Sequence, residues 1–243
     1  MIGLVRGWAV DWLSSHDPRA AEEVLDPEYR LTIGSVVLEG RDAYLAGTLG
    51  QLGNYPGLVL TVHEVIVGED LAAVWFTEHG TATHREGALA AWQGVVIHRR
   101  DGDRLVESWA EEDYASRSRQ LSGGVPQDIG AAAIAPWDAV PAGSDLEAER
   151  AVREWLESGA PSSGTIRFDD GTGTLHESGS PRAIEVHVLF SSGPHVAFHG
   201  SIELEAGLEQ GIGGLIAVRE DGTLSGQVVT DRAGVQAARK RRG

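Results

Sequence analysis

Apolar residues recur at helical spacing through Leu4, Trp8, Trp12 and Leu13, and Asp17-Pro18 ends the run before Ala20, Ala21, Val24 and Leu25 begin a second short helix. Tyr29 to Leu38 alternates in the manner of a strand or hairpin, and Gly40-Arg41-Asp42 leads into a third helical segment over residues 42–52. From Leu58 the period drops to two. Val59–Val67 and Leu71–His79 read as strands around the polar turn Gly68-Glu69-Asp70. Trp92–Arg99 follows, and Arg100-Asp101-Gly102-Asp103 closes the next hairpin, because Asp-Gly supplies the positive φ such a turn requires. Helices first and strands afterwards predict an α+β fold, with helices packed on one face of a curved antiparallel sheet. The cavity between the two layers is the natural ligand site.

Of the 22 residues from Ser122 to Gly143, 13 are Gly, Pro or Ala, which marks a linker, with Ile134 and Trp137 expected to pin part of it to a domain surface. The chain divides into residues 1–121, a linker over 122–144, and residues 145–243. In the last part a helix runs from Ser144/Asp145 to Leu156 and stops at Gly159. Strand candidates there are Thr165–Phe168, Gly173–His176, Ala183–Phe190, His195–Leu204, Gly214–Glu220 and Leu224–Asp231. Gly94 to Leu105 and Gly214 to Leu224 match apart from one residue of hairpin length, and Asp231 falls one place from the equivalent of Asp113. A tandem repeat is predicted. The second copy lacks counterparts of helices two and three, so its pocket should be shallow or filled and its role structural.

A net charge of −16 excludes general nucleic-acid binding, which needs neutralised phosphates; Arg239-Lys240-Arg241-Arg242 reads as a solvated tail. No run of 18 apolar residues predicts a membrane span, and the opening Met-Ile-Gly-Leu-Val-Arg-Gly-Trp brings charge and Trp too early for a secretory signal. The absence of Cys removes disulfides, thiolate metal sites and cysteine nucleophiles, and fits the cytoplasm. His-x-His and His-Glu-x-x-His are absent, so no metal is expected; the Gly-rich stretches lack a phosphate-loop Lys, and there is no Gly-x-Ser-x-Gly elbow. The expected partner is a small molecule, with no cofactor. Seven Trp suit a pocket walled by large rings.

The stretch Glu107-Ser-Trp109-Ala-Glu111-Glu112-Asp113, followed by Tyr-Ala-Ser-Arg-Ser-Arg-Gln120-Leu121, comes after two strands joined by Gly-containing turns and an Asp-Gly hairpin. This order resembles the C-terminal half of the SnoaL-like polyketide cyclases, members of the nuclear transport factor 2-like superfamily that also holds ketosteroid isomerases. The resemblance spans roughly residues 1–121. It implies a cone of helices on a curved sheet and, for the whole chain, two such copies pairing sheet against sheet as an internal pseudo-dimer, alone or in a homodimer. It also implies that Asp113 is the general base, removing a proton beside a carbonyl so that the enolate closes a ring. Alternation from Trp109 would put Glu107, Trp109, Glu111 and Asp113 on one side of the strand. His98 and His79 are the candidate electrophilic partners, and Trp8, Trp12, Trp75, Trp92 and Trp109 the candidate walls that desolvate the base. Asp11 and His16 on the first helix, Glu78 and Glu107 are weaker candidates.

Departures from the family pattern narrow the choice. Gly80-Thr81-Ala82 stands where such cyclases commonly show Gly-Thr-His, and the strand Tyr29–Gly34 has no acid where a ketosteroid isomerase keeps its base. Arg99-Arg100-Asp101 has the letters of an epoxide hydrolase site but sits at a turn tip. Three readings follow: a cofactor-free cyclase or isomerase of polyketide-type secondary metabolism, such as antibiotic biosynthesis; an epoxide-opening enzyme, favoured if two acids converge in the pocket; and a non-catalytic binding protein, favoured if none do.

Overall fold

The computed structural model describes residues 1–85, 87–161, 165–168, 184–203 and 209–230. The expected strand Gly173–His176, Asp231 and the basic tail lie outside the described residues.

The first helix, α1 (Ile2–Arg6), continues as a π-helix over Gly7–Ser14. Helix α2 (Pro18–Val24) starts on Asp17, whose side chain accepts from the Arg19 N–H, with Pro18 at the first position, where its missing donor costs nothing. Strands β1 (Leu25–Ile33) and β2 (Val36–Glu39) form the expected hairpin, and α3 (Arg41–Asn54) follows. Then come β3 (Val59–Val67), β4 (Leu71–Thr81), β5 (Leu89–Asp101) and β6 (Arg104–Glu112), and the short helix α4 (Tyr114–Leu121). The sheet order is β2-β1-β6-β5-β4-β3. One pairing departs from the antiparallel expectation: β1 lies parallel to β6. The two strands are far apart in sequence, and α3 with its following strands makes the crossover that a parallel pair demands.

Helices α1 to α3 cover one face of this sheet. Trp8, Trp12, Leu13, Tyr29, Tyr44, Val74, Phe76, Trp92 and Val96 are among the core residues between the layers. Part of the stretch after α4 lies on this unit: Trp137 packs on the core and the Ala133 N–H bonds the Val62 carbonyl, whereas Ile134, expected to pin it too, is 98% exposed.

The second unit opens with α5 (Leu146–Glu157), capped by Asp145 through the N–H groups of Glu147 and Ala148. Strands β7 (Ile166–Phe168), β8 (Glu185–Ser192), β9 (His195–Glu203), β10 (Glu209–Val218) and β11 (Leu224–Thr230) form a sheet of order β7-β11-β10-β9-β8. It repeats the plan of the first: a four-strand antiparallel run, then one parallel strand, β7, beside the last. Local irregularities recur too. The β3–β4 ladder shifts register between Val62 and Glu64, and β8–β9 between Val186 and Val188, placing a bulged His at each site. His63 contacts the Thr77 hydroxyl and His187 the Ser201 hydroxyl, each pair 14 residues apart. Among the described residues nothing corresponds to α2, α3 or β2, and a single helix fills the second core with Val152, Trp155 and Leu156.

The two sheets meet through their outer faces. Ile66, Ala73, Val95 and Ile97 of the first pack against Phe190, Ala197, Leu215 and Val229 of the second. Within this apolar contact lies one buried polar link, His199 Nε2 to Glu111 Oε1 at 3.0 Å. Gly211 makes room for it, since a Cβ there would overlap the Glu111 carboxylate. Gly211→Ala should therefore destabilise the protein by about 1–3 kcal/mol, measured by urea unfolding; an unchanged midpoint would show that the Glu111 side chain can move aside at no cost.

Candidate active site

Inside the first unit a cavity of about 210 Å³ opens between the helices and the sheet. Trp8, Leu31, Leu38, Phe76, Val96 and Ala110 give it apolar walls, and Tyr29, Tyr44 and Tyr114 place hydroxyls along it. Two acids reach it, Glu78 from β4 and Glu112 from the end of β6. Strand alternation explains both: Ala72, Val74 and Phe76 are the apolar residues sharing a face with Glu78, and Ala110 shares one with Glu112.

The two carboxyls are 3% and 8% exposed and are hydrogen-bonded to each other. Burial, first, and then the negative field of Glu112 push the Glu78 carboxyl well above its ordinary range, which favours its protonated form. Gln51 Nε2 donates to Glu78 Oε2 at 2.7 Å and orients it. Glu112 is also raised by burial, but less, because several donors favour its ionised form: Trp92 Nε1 at 2.8 Å from Oε2, the Tyr114 hydroxyl, and the proton of Glu78. The Arg117 guanidinium lowers both. The directions of these shifts make Glu78 the more readily protonated member of the pair and Glu112 the better acceptor. Gly94, directly across from Glu112 on β5, gives the side chain its space; a Cβ there would overlap the Phe76 ring and press on Glu112.

The wall is fixed by a second hydrogen-bonded group. Trp8 and Trp12 both donate their indole N–H to the Tyr44 hydroxyl, at 3.0 and 3.1 Å. Burial raises the Tyr44 phenol to about 12, so it stays protonated. His98 lies edge-on to Trp8 with ring centroids 4.5 Å apart and contacts the Ser108 hydroxyl through Nδ1 at 2.7 Å. Burial drives it down to about 3, which makes it a neutral ring in the core.

The expected site residues divide as follows. Trp8 lines the cavity, and Trp12 and Trp92 support it through Tyr44 and Glu112. Asp113 is buried, but it is not among the lining residues: β6 ends one position earlier, and the Asp113 side chain caps α4 by accepting from the Ser116 N–H at 2.8 Å. Trp75, Trp109 and His79 face away from the cavity. Trp75 and Trp109 pack toward the second sheet, and His79 meets Thr61 on the outer face. The reason is parity: Trp109 and Glu111 share the outer face of β6, and Trp75, Thr77 and His79 the outer face of β4. Asp11 pairs with Arg6, half-exposed, His16 contacts the Leu58 carbonyl, and Glu107 bridges Arg30 and Arg99. Glu112 and the tyrosines were missed, although an acid on an otherwise apolar face was a readable signal. As a helix cap, Asp113 should cost about 1 kcal/mol when replaced by Ala and little when replaced by Asn, which caps as well; thermal melts of both variants check this. A loss of several kcal/mol for Asp113→Asn would assign it more than a cap.

Residues 5–108, rather less than half of the chain, match the family model of the SnoaL-like domain. The match ends just short of Glu112. TsrD from Streptomyces laurentii is 22% identical, with a TM-score of 0.46, covering 50% of this chain and 94% of that one. IdmH, a provisionally assigned polyketide cyclase from Streptomyces antibioticus, is 18% identical, with a TM-score of 0.45, covering 49% of this chain and 96% of that one. A protein of ketosteroid isomerase-like fold from Catenulispora acidiphila, solved with trimethylamine, is 14% identical, with a TM-score of 0.44, covering 49% of this chain and 92% of that one. No curated protein matches the sequence. No helix among the described residues is long and apolar enough to cross a membrane, and none of their His, Asp or Glu side chains form a group suited to a metal ion.

Proposed function

We propose that the first unit is a cofactor-free acid/base enzyme that cyclises or isomerises a small, largely apolar, polyketide-type molecule in the cavity. The observation that supports it is the pair of buried carboxyls meeting in an apolar chamber, Glu78 the more strongly raised and Glu112 held by more donors. Glu112 would remove a proton from carbon beside a carbonyl. Glu78 would give its proton to the carbonyl oxygen as negative charge builds there, so charge never accumulates in the dry site. The enol then attacks an internal electrophile or is reprotonated at another carbon; as the carbonyl re-forms its hydroxyl proton returns to Glu78, and the proton on Glu112 goes to the product. The tyrosine hydroxyls add donors for substrate oxygens.

The pairing itself favours a second reading, epoxide opening. Glu78 would protonate the epoxide oxygen as the C–O bond breaks, and Glu112 would take the proton of the attacking hydroxyl or water. The readings separate in D₂O. An enolisable diketone whose α-proton exchanges in the presence of the wild type, but not of Glu112→Gln, supports the first. Turnover confined to epoxy alcohols supports the second. No reaction with either class points to a binding protein.

The remaining chain, residues 145–243, is on this reading a reduced second copy joined through the linker 122–144, whose work is to cover the outer face of the first sheet.

A further inference from the structure

Beside the carboxyl pair, a second and larger cavity of about 460 Å³ opens to solvent between the end of α3, the turn at Thr83–Arg85 and α4. Gln51 lines both cavities and bonds Glu78, so the outer cavity, the mouth, adjoins the inner one across this side chain. Its lining is unusual for this chain. The sequence has 36 acidic residues against 20 Lys and Arg, yet the described lining residues include Arg85, Arg117 and His84 and no Asp or Glu. Asn54, Ser118 and Ser122 add neutral polar groups.

The Arg117 guanidinium acts on both carboxyls of the pair, lowering each, and so serves as their counter-charge. Arg117 is held in place by rings, 4.2 Å from the Tyr114 centroid and 4.9 Å from that of Trp92, and it forms no salt bridge among the described residues. The Arg85 guanidinium is then a second cation, with neither ion pair nor hydrogen bond among the described residues. A surface this acidic has many carboxylates to spare, and among the described residues none lines the mouth.

We infer that the mouth binds an anionic group of the substrate, a carboxylate or a phosphate, between Arg85 and Arg117 while the apolar body enters the inner cavity. This rests on the proposed function for the position of the body, and it names the substrate class: an amphipathic acid rather than a neutral molecule. Guanidinium groups suit such a head because their planar donors match two anion oxygens at once.

The test is binding by the full chain of 2-naphthylacetate, 2-naphthyl phosphate and neutral 2-naphthylacetamide, followed by calorimetry. Both anions should bind at least tenfold more tightly than the amide, and the tighter of the two identifies the head group. Arg85→Gln, on an exposed turn where folding is not at stake, should remove most of that preference while leaving amide affinity unchanged. Equal affinity for acid and amide, or a preference untouched by Arg85→Gln, overturns the inference. Failure of the catalytic reading looks different: the anion preference would persist while Glu112→Gln kept full turnover. If none of the three binds, the mouth site is wrong.

Discussion

Glu112→Gln is expected to lower turnover by about 10²–10⁴-fold, the range typical of a lost general base, with substrate affinity changed little. The amide keeps the shape of the side chain and can still accept from Trp92 and Tyr114, so the cavity should stay intact. What it loses is the ability to take a proton. Glu78→Gln should also be slow, because an amide cannot deliver a proton to the substrate oxygen, and the double variant should be little worse than either single one, since the two groups act as a unit. Steady-state kinetics of all three variants checks this. Full turnover in Glu112→Gln would move the chemistry elsewhere.

The second large effect is on stability, and it has an unusual sign. Glu78 and Glu112 are both raised above their ordinary 4.5 in the folded protein. Between 4.5 and the raised values the folded state binds protons that the unfolded chain releases, so stability is greatest at the acid end and falls as pH rises through that window. Raising a carboxyl's pKa by one costs about 1.4 kcal/mol of stability once the group is ionised, and the pair titrates jointly. Glu78→Gln removes the need to keep a carboxyl in the dry cavity. It should stabilise the protein by about 1–3 kcal/mol at pH 8 and have little effect at pH 4.5. Two buried histidines pull the other way. His98 and His199 are pushed from 6.5 to about 3 and about 4 by burial, so the stability they preserve above 6.5 is lost as pH falls toward those values. Urea unfolding of wild type and variant at pH 5 and pH 8 isolates the carboxyl part as a difference. An equal gain at both pH values would mean that the pair does not titrate as described.

Much of the fold was legible because its signals are local. The Asp17-Pro18 break, the Asp101-Gly102 hairpin with Gly102 at φ +56°, the Asp145 cap and the change of period at Leu58 each act within a few residues. The likeness of Gly94–Leu105 to Gly214–Leu224 foretold that the two sheets would share a plan. The parallel contact of β1 with β6 was not legible, since register between distant strands leaves no local mark. The face of β6 was not legible either: alternation put Trp109 and Glu111 toward the cavity, and the structure turns them to the second sheet. Alternation counted from Trp109 assumed that a large ring points at the substrate, whereas its burial against the second sheet satisfies it equally well. Only the presence of that second sheet decides which face of β6 is the inner one. Glu111 and Glu112 show the difficulty plainly: two adjacent, identical acids, one facing the neighbouring unit and the other the cavity.

Mass action secures that division of β6. A sheet face covered by a separate molecule is uncovered again on dilution, and the geometry of the strand behind it changes with the equilibrium. Here the cover belongs to the same chain, and the connecting backbone holds it at an effective concentration on the order of millimolar whatever the amount of protein present. The outer residues Trp109 and Glu111 therefore keep their partners at any concentration, and so does the placement of Glu112 one residue further along the same backbone.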